Sequence, residues 1–195
     1  MIIVVLSFIF FYTFNSENSV EKPPSLDYQS RLKQERVGKD KFFKENEESP
    51  IENKKEFKGL TYFEVSEKFK IEAELILDKS GNKNIIQTTD NKADTLVKYG
   101  YAKFKLNNQT NQLTIYKTEN SRLLFLPFRD KTSGNLTYGG GRFLDIPITD
   151  IAGNKVVLDF NLAYHPYCTY NHTYICPIPP KENTLTIEIL AGEKL

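Results

Sequence analysis

From Phe57 onward the chain carries a period of two. Phe69, Ile71, Ala73, Leu75 and Leu77 alternate with Lys70, Glu72 and Glu74, which puts five apolar residues on one face of a half-buried strand. Gly81-Asn82 then turns the chain. Ala102, Phe104 and Leu106 alternate with Lys103 and Lys105, Asn107-Asn108 supplies a turn, and Leu113 and Ile115 resume beyond it, which predicts a hairpin. Leu123–Phe128 is continuously apolar, as in a strand covered on both faces. Val156–Phe160 reads as another short strand, and Leu185, Ile187 and Ile189 alternate near the end. Seven or eight short strands without βαβ spacing predict a mainly β domain, an antiparallel sandwich or a partly open barrel.

Ahead of these strands the pattern changes twice. Met1–Phe14 is apolar apart from Ser7, Tyr12 and Thr13, and its length suits the hydrophobic part of an export signal or a membrane anchor. No Lys or Arg precedes it and no small-x-small cleavage site follows, which favours an uncleaved anchor or a start further upstream; the alternative is a first core strand. Residues 15–25 form a polar linker stiffened by Pro23 and Pro24. Leu26–Asn46 is rich in Lys, Glu, Gln and Arg, with Tyr28, Leu32, Phe42 and Phe43 as sparse apolar contacts. Ser25 or Asp27 can cap it and Ser49-Pro50 lies past its end, so an exposed helix is expected that docks by a few residues. Residues 26–195 are then a single β-rich domain with an N-terminal helix, and the extracytoplasmic side of a membrane, or the periplasm, is the expected location.

Composition agrees with one globular β domain. The 195 residues are 39% hydrophobic, and Phe 14 and Tyr 11 with no Trp favour strands. Lys+Arg 26 against Asp+Glu 25, interleaved along the chain, argues against a nucleic-acid surface.

Two stretches hold more polar and glycine residues than packing requires. In Leu126–Pro147, Arg129, Arg142, Asp130 and Asp145 surround Gly139-Gly140-Gly141. Free backbone N–H groups and Arg forks can hold an anion there, although neither a P-loop nor a dinucleotide fingerprint is present. The competing reading is a wide loop whose arginines pair with its own aspartates. Val156–Asn183 gathers four tyrosines, both histidines and both cysteines. Cys168 and Cys176 fit a disulfide, which an exported domain permits and which contributes about 2.6 kcal/mol by loop entropy. His165, Cys168, His172 and Cys176 also have ligand types suited to zinc, though in no known zinc spacing. Cys168 with His165 as base and Asp159 as orienter forms a third arrangement, and two reduced buried thiols a fourth. No metal and no cofactor is expected from these patterns.

The blocks R-D-x-T-S-G-x-x-T-Y-G-x-G-R-[FY]-L-D, V-V-L-D-F-N-x-A-Y-x-P-x-C-x-Y-N, C-P-x-P-P-x-E-N-x-L and A-G-E-K occur here in that order, together with Phe57-Lys58-Gly59-Leu60. They resemble the signature blocks of a bacterial family known as domain-of-unknown-function family 1684, over about Tyr28 to the C-terminus. The resemblance carries over onto Arg129, Asp130, Thr132, Gly134, Tyr138, Gly139, Gly141, Arg142, Asp145, Asp159, Asn161, Tyr164, Cys168, Tyr170, Asn171, Cys176, Glu182 and Asn183, and brings no activity with it. Relatives are expected to hold other residues, commonly Asn or Pro, at positions 165 and 172, which weakens the metal and Cys-His readings.

The leading expectation is a small polar or anionic ligand held between the two long blocks. Its contacts would come from Arg129, Asp130, Thr132, Tyr138, Arg142, Asp145, Asp159, Asn161, Tyr164, Tyr170 and Asn171, with the two arginines on the anion and Tyr138, Tyr164 and Tyr170 as walls. The rivals are a hydrolase or transferase using Asp130, Asp145 or Asp159 with Tyr138, and an envelope interaction module in which the blocks only lock loops.

Overall fold

The computed structural model describes residues 27–81, 83–118 and 122–195. The expected export segment at Met1–Phe14 and the linker 15–25 lie outside them. Among the described residues no helix is long and apolar enough to cross a membrane.

Helix α1 spans Tyr28–Glu45 and begins where expected, because Asp27 accepts the Ser30 backbone N–H at 3.1 Å. Of its side chains, Leu32 and Phe43 are fully buried and Val37 is exposed, so it does dock by few apolar contacts. Its charged face is less solvated than the sequence suggested. Arg36 donates to the Phe63 carbonyl, Asp40 accepts the Leu60 N–H, and Lys39 pairs with Glu193.

The strands are β1 (Thr61–Tyr62), β2 (Lys70–Leu77), β3 (Lys83–Gln87), β4 (Ala93–Leu106), β5 (Gln109–Lys117), β6 (Leu123–Phe128), β7 (Arg142–Pro147), β8 (Ile151–Ala152), β9 (Lys155–Asp159) and β10 (Glu193–Lys194). All ladders are antiparallel. The main sheet runs β7-β6-β5-β4-β2-β9-β8, with β3 added on β4, while β1 and β10 form a separate pair. A short 3-10 turn carries β7 directly into β8, which hydrogen-bonds β9, so the two ends of the path meet and the sheet nearly closes into a barrel. Of the two expected architectures the barrel is the one adopted.

The predicted hairpin is β4–β5, turned by Asn107 and Asn108 at φ 52 and 60, the left-handed pair a type I′ turn requires. Alternation buries Ala73, Leu75, Ala102, Phe104, Leu113, Ile115, Leu126, Leu144, Ile146, Leu158 and Phe160 in one core. The stripe on β2 ends early, since Leu77 is half exposed opposite Gly100. There β4 carries a bulge, and a Cβ on Gly100 would collide with the Ile76 carbonyl. Before the bulge, β4 pairs with β3 as an arm that the polar sequence between Lys83 and Lys98 did not announce.

One expected strand is absent. Leu185, Ile187 and Ile189 alternate inward as predicted, but this segment forms no ladder. Its backbone is held piecemeal: the Leu185 N–H donates to the Arg129 carbonyl, the Lys131 N–H to the Ile187 carbonyl, and the Arg142 guanidinium to the Ile189 carbonyl. Side-chain donors therefore do part of what a neighbouring strand would do.

Candidate functional site

The glycine-rich block is mostly internal scaffolding. Arg142 is 1% exposed and lies inside the molecule, where it donates to the carbonyls of Ile189, Ala191 and Glu193 and forms a 2.7 Å ion pair with Asp130. Asp130 also accepts the backbone N–H and hydroxyl of Thr132, and that hydroxyl lies 2.9 Å from the Thr137 hydroxyl. The expectation that Arg142 contacts a ligand anion, with Asp130 and Thr132 beside it, is thereby corrected. A cation out of water needs compensation, and here the tail carbonyls and Asp130 supply it at both terminal nitrogens, while Nε is left without a partner among the described residues. Arg129 is half-buried, and its backbone anchors the segment after Asn183. Asn183 itself is fully buried, giving both amide hydrogens to the Thr114 and Pro127 carbonyls and accepting the Thr114 N–H.

The Asp159–Asn161 pair is structural as well. Both Asp159 oxygens accept the Tyr28 hydroxyl, at 2.7 and 2.8 Å, while Asn161 bonds Tyr28 and both backbone groups of Ser66. This cluster fastens α1 and the chain before β2 onto the end of β9. Asp130 and Asp159 are thus each engaged within the fold and do not converge with Asp145, as a shared acid/base site would need.

A third cluster surrounds Glu193, in the A-G-E-K block. Its buried carboxylate accepts the His165 N–H at 2.7 Å, the Tyr170 hydroxyl at 3.0 Å and the Lys39 ammonium. Nearby Gly192 has φ +76, and a Cβ there would strike the Ala163 carbonyl, so the turn into β10 requires glycine. His165 accepts the Tyr138 N–H on Nε2. Burial first, then the Arg142 and Lys39 charges, push its pKa down to about 3, so it is neutral. Tyr170 faces Glu193 and the Phe43 ring, not an open wall.

Open space remains on the other side of Lys39. A pocket of about 500 Å³ lies between β7 and the aromatic loop, lined by Phe143, Asp145, Tyr164, Tyr167, Tyr174 and Lys39, with Pro166 and the 175–177 segment at its rim. Phe143 and Tyr164 meet edge to face at 5.9 Å, as do Tyr167 and Tyr174 at 5.3 Å. Asp145 is half-buried and its one hydrogen bond among the described residues is the 3.0 Å contact to the Tyr164 hydroxyl. Burial raises its pKa, opposed by Tyr164 and Lys39. The Lys39 ammonium sits 4.6 Å from the Tyr164 ring centre. The rim is braced by the β3–β4 turn, through Thr89 to Cys176 and Gln87 to Ile178.

Cys168 and Cys176 are free, buried thiols here, in place of the expected disulfide, and the Cys168 N–H points at the Cys176 sulfur at 3.3 Å. The interaction between the two thiols, with burial, pushes the Cys168 pKa up, and the same interaction with the Cys168 N–H holds that of Cys176 down. Tyr138 packs against this pair. Asn171 closes a surface turn on Thr173, and His172 is exposed, away from the buried cysteines. Among the described residues no group of three or more His, Cys, Asp or Glu is placed to hold a metal ion.

Of the residues expected at a ligand, Asp145 and Tyr164 line this pocket and Tyr138 abuts it. Lys39, Phe143, Tyr167 and Tyr174 were not anticipated. Four tyrosines within eleven positions announced an aromatic surface, but spacing in an irregular loop does not say which rings share a face. Lys39 carried no signal beyond its place on a charged helix.

A family described as "Protein of unknown function (DUF1684)" matches residues 55–194. The solution NMR structure of an uncharacterized protein from gene locus rrnAC0354 of Haloarcula marismortui is 35% identical. That likeness covers 87% of this chain and 95% of the other, with a TM-score of 0.69. No curated protein matches the chain.

Proposed function

The chain belongs to the DUF1684 family, whose description names no activity, and we propose that it is a small-molecule-binding β-barrel domain with its ligand seated between β7 and the aromatic loop. The observation that carries the reading is the pocket of about 500 Å³ in which Asp145 stands half-buried among Phe143, Tyr164, Tyr167 and Tyr174. A cleft of this size, largely apolar with a few convergent polar groups, is the usual form of a small-molecule site. Its polarity differs from the sequence expectation. The arginines lie elsewhere, Lys39 is already paired with Glu193, and the group facing the pocket is an acceptor. The ligand chemistry that fits is a compact ring or chain that stacks on tyrosines and offers an amine or hydroxyl donor to Asp145.

A thermal-shift screen of amines, nucleobases, sugars and small acids tests this. Saturable stabilisation by a donor-bearing ligand is expected, and it should disappear in Asp145→Asn and in Tyr174→Ala. No stabilisation by any class, or stabilisation that survives both substitutions, overturns the reading.

The same proposal places the domain outside the cytoplasm, exported or tethered by Met1–Phe14. Its support is that apolar run alone. Membrane fractionation of the native gene product is the check, and purely soluble cytoplasmic protein would reject export.

A further inference from the structure

The two thiols are held next to each other by elements that do not involve sulfur. Cys168 sits in the 3-10 turn Tyr167–Thr169. Cys176, eight positions on, is fixed by Thr89, whose hydroxyl accepts the Cys176 N–H at 3.1 Å and whose N–H donates to the Cys176 carbonyl at 3.0 Å. Between them the chain doubles back, as the Asn171 N–H donates to the Tyr167 carbonyl and the Tyr174 N–H to the Asn171 carbonyl. The Cys168 N–H thus comes to lie 3.3 Å from the Cys176 sulfur, and the two thiols interact directly. Of the pair, Cys176 borders the aromatic pocket, while Cys168 lies against Tyr138.

These positions divide the roles that oxidation of a dithiol requires. A cysteine reacts as its thiolate, and the oxidant must reach it. The Cys168 thiol and N–H both favour negative charge on the Cys176 sulfur and hold its pKa down, whereas the same neighbour, with burial, pushes Cys168 up. Cys176 also borders a cleft of about 500 Å³, which admits a small oxidant. Cys168 keeps its proton and stands beside whatever forms on Cys176. The chain between them carries Tyr174, one wall of that cleft, so a bond between the sulfurs would close a short ring that includes the wall.

We infer that Cys168 and Cys176 are a reversible redox pair, in which Cys176 reacts with a hydroperoxide entering through the aromatic pocket, Cys168 resolves the product, and the closed ring fixes the Tyr174 wall. The Cys176 thiolate attacks one peroxide oxygen, the O–O bond breaks, and the leaving oxygen departs with the electron pair and takes up a proton, which leaves a sulfenic acid. The Cys168 sulfur then attacks the Cys176 sulfur, the S–O bond breaks, and hydroxide leaves with the Cys168 proton as water. With hydrogen peroxide, two thiols are oxidised to one disulfide and the peroxide is reduced to two waters. The inference uses the pocket as an opening and does not rest on the ligand proposed for it.

The test treats the full chain, reduced beforehand with a phosphine, with hydrogen peroxide at neutral pH, and then alkylates the remaining thiols after unfolding for peptide mass analysis. Both cysteines should escape alkylation together as a Cys168–Cys176 cross-link that dithiothreitol reverses, and amide exchange over residues 170–175 should be slower in the oxidised protein. In Cys168→Ser, dimedone should capture a sulfenic acid on Cys176. In Cys176→Ser, the remaining thiol should react at least about tenfold more slowly, since it lacks both the opening and the donors. The inference fails if peroxide carries wild-type Cys176 to the sulfinic acid without a cross-link, if both thiols stay alkylatable, or if Cys168 reacts first. The wild-type cross-link decides the matter even where a serine variant does not fold. No ligand is added in any arm, so a failed ligand screen and a failed oxidation are separate results.

Discussion

Two regions of this molecule each set an aspartate near a cation, and they behave oppositely. Around Arg142, an arginine, an aspartate and two threonines are sealed in the interior, and nearly every polar atom is answered by the fold. Around Asp145, a carboxylate, a lysine and three tyrosines face open space, and the carboxylate has a single hydrogen-bond partner among the described residues. The glycine-rich block looked the more ligand-like of the two in sequence, yet its arginine holds the molecule's own tail. Density of polar residues identifies where a fold has unusual requirements. Only the balance of donors against acceptors separates an internal requirement from one that an outside molecule meets.

The sharpest way to break that contrast is Arg142→Met. It leaves Asp130 buried without its cation and three tail carbonyls without their donor, and should lower stability by about 3–5 kcal/mol or prevent folding, read by urea unfolding. A smaller effect comes from His165. With its folded pKa down to about 3 against an ordinary 6.5, the folded state binds fewer protons than the unfolded chain between those values. Its contribution is therefore complete above about pH 6.5 and is lost as pH falls, by about 2 kcal/mol between pH 7 and pH 5. His165→Asn should flatten that part of the stability profile. Tyr28→Phe removes the hydroxyl that bridges Asp159 and Asn161 and should cost about 1–2 kcal/mol, with loosening of α1 visible in hydrogen exchange. On the open side, Tyr174→Ala and Asp145→Asn should each change stability by less than about 1 kcal/mol while removing ligand response. If instead the Asp145 substitution destabilises as much as the Arg142 one, the two regions are not different in kind.

The sequence made the barrel legible wherever apolar residues alternate, because period two is a local property. β2 and β4–β5 were found in that way and β9 as a short apolar run, and Asp27 and the Asn107-Asn108 turn declared themselves by their own chemistry. What was not legible depended on distant partners. The segment from Leu185 to Ile189 has the alternation of a strand but no strand beside it, since Arg142 reaches its carbonyls. Lys39 reads as a solvated helix residue until β10 places Glu193 beneath it. Pairing of Arg142 with Asp130, 12 positions away, was the competing reading and is what the fold shows; nothing local shows that its carbonyl acceptors lie 47 to 51 positions away.

The ion pair between Lys39 and Glu193 joins positions 154 apart. A growing or refolding chain has the partners of Arg36, Asp40 and Tyr28 before it has that of Lys39, whose carboxylate arrives only with β10, after every barrel strand has been made. Helix docking should be among the last events of folding, and the closure of so long a loop should make it slow. Until then the side of α1 around Lys39 is held incompletely, and that interval is when an unfinished chain is most exposed to association with its own copies.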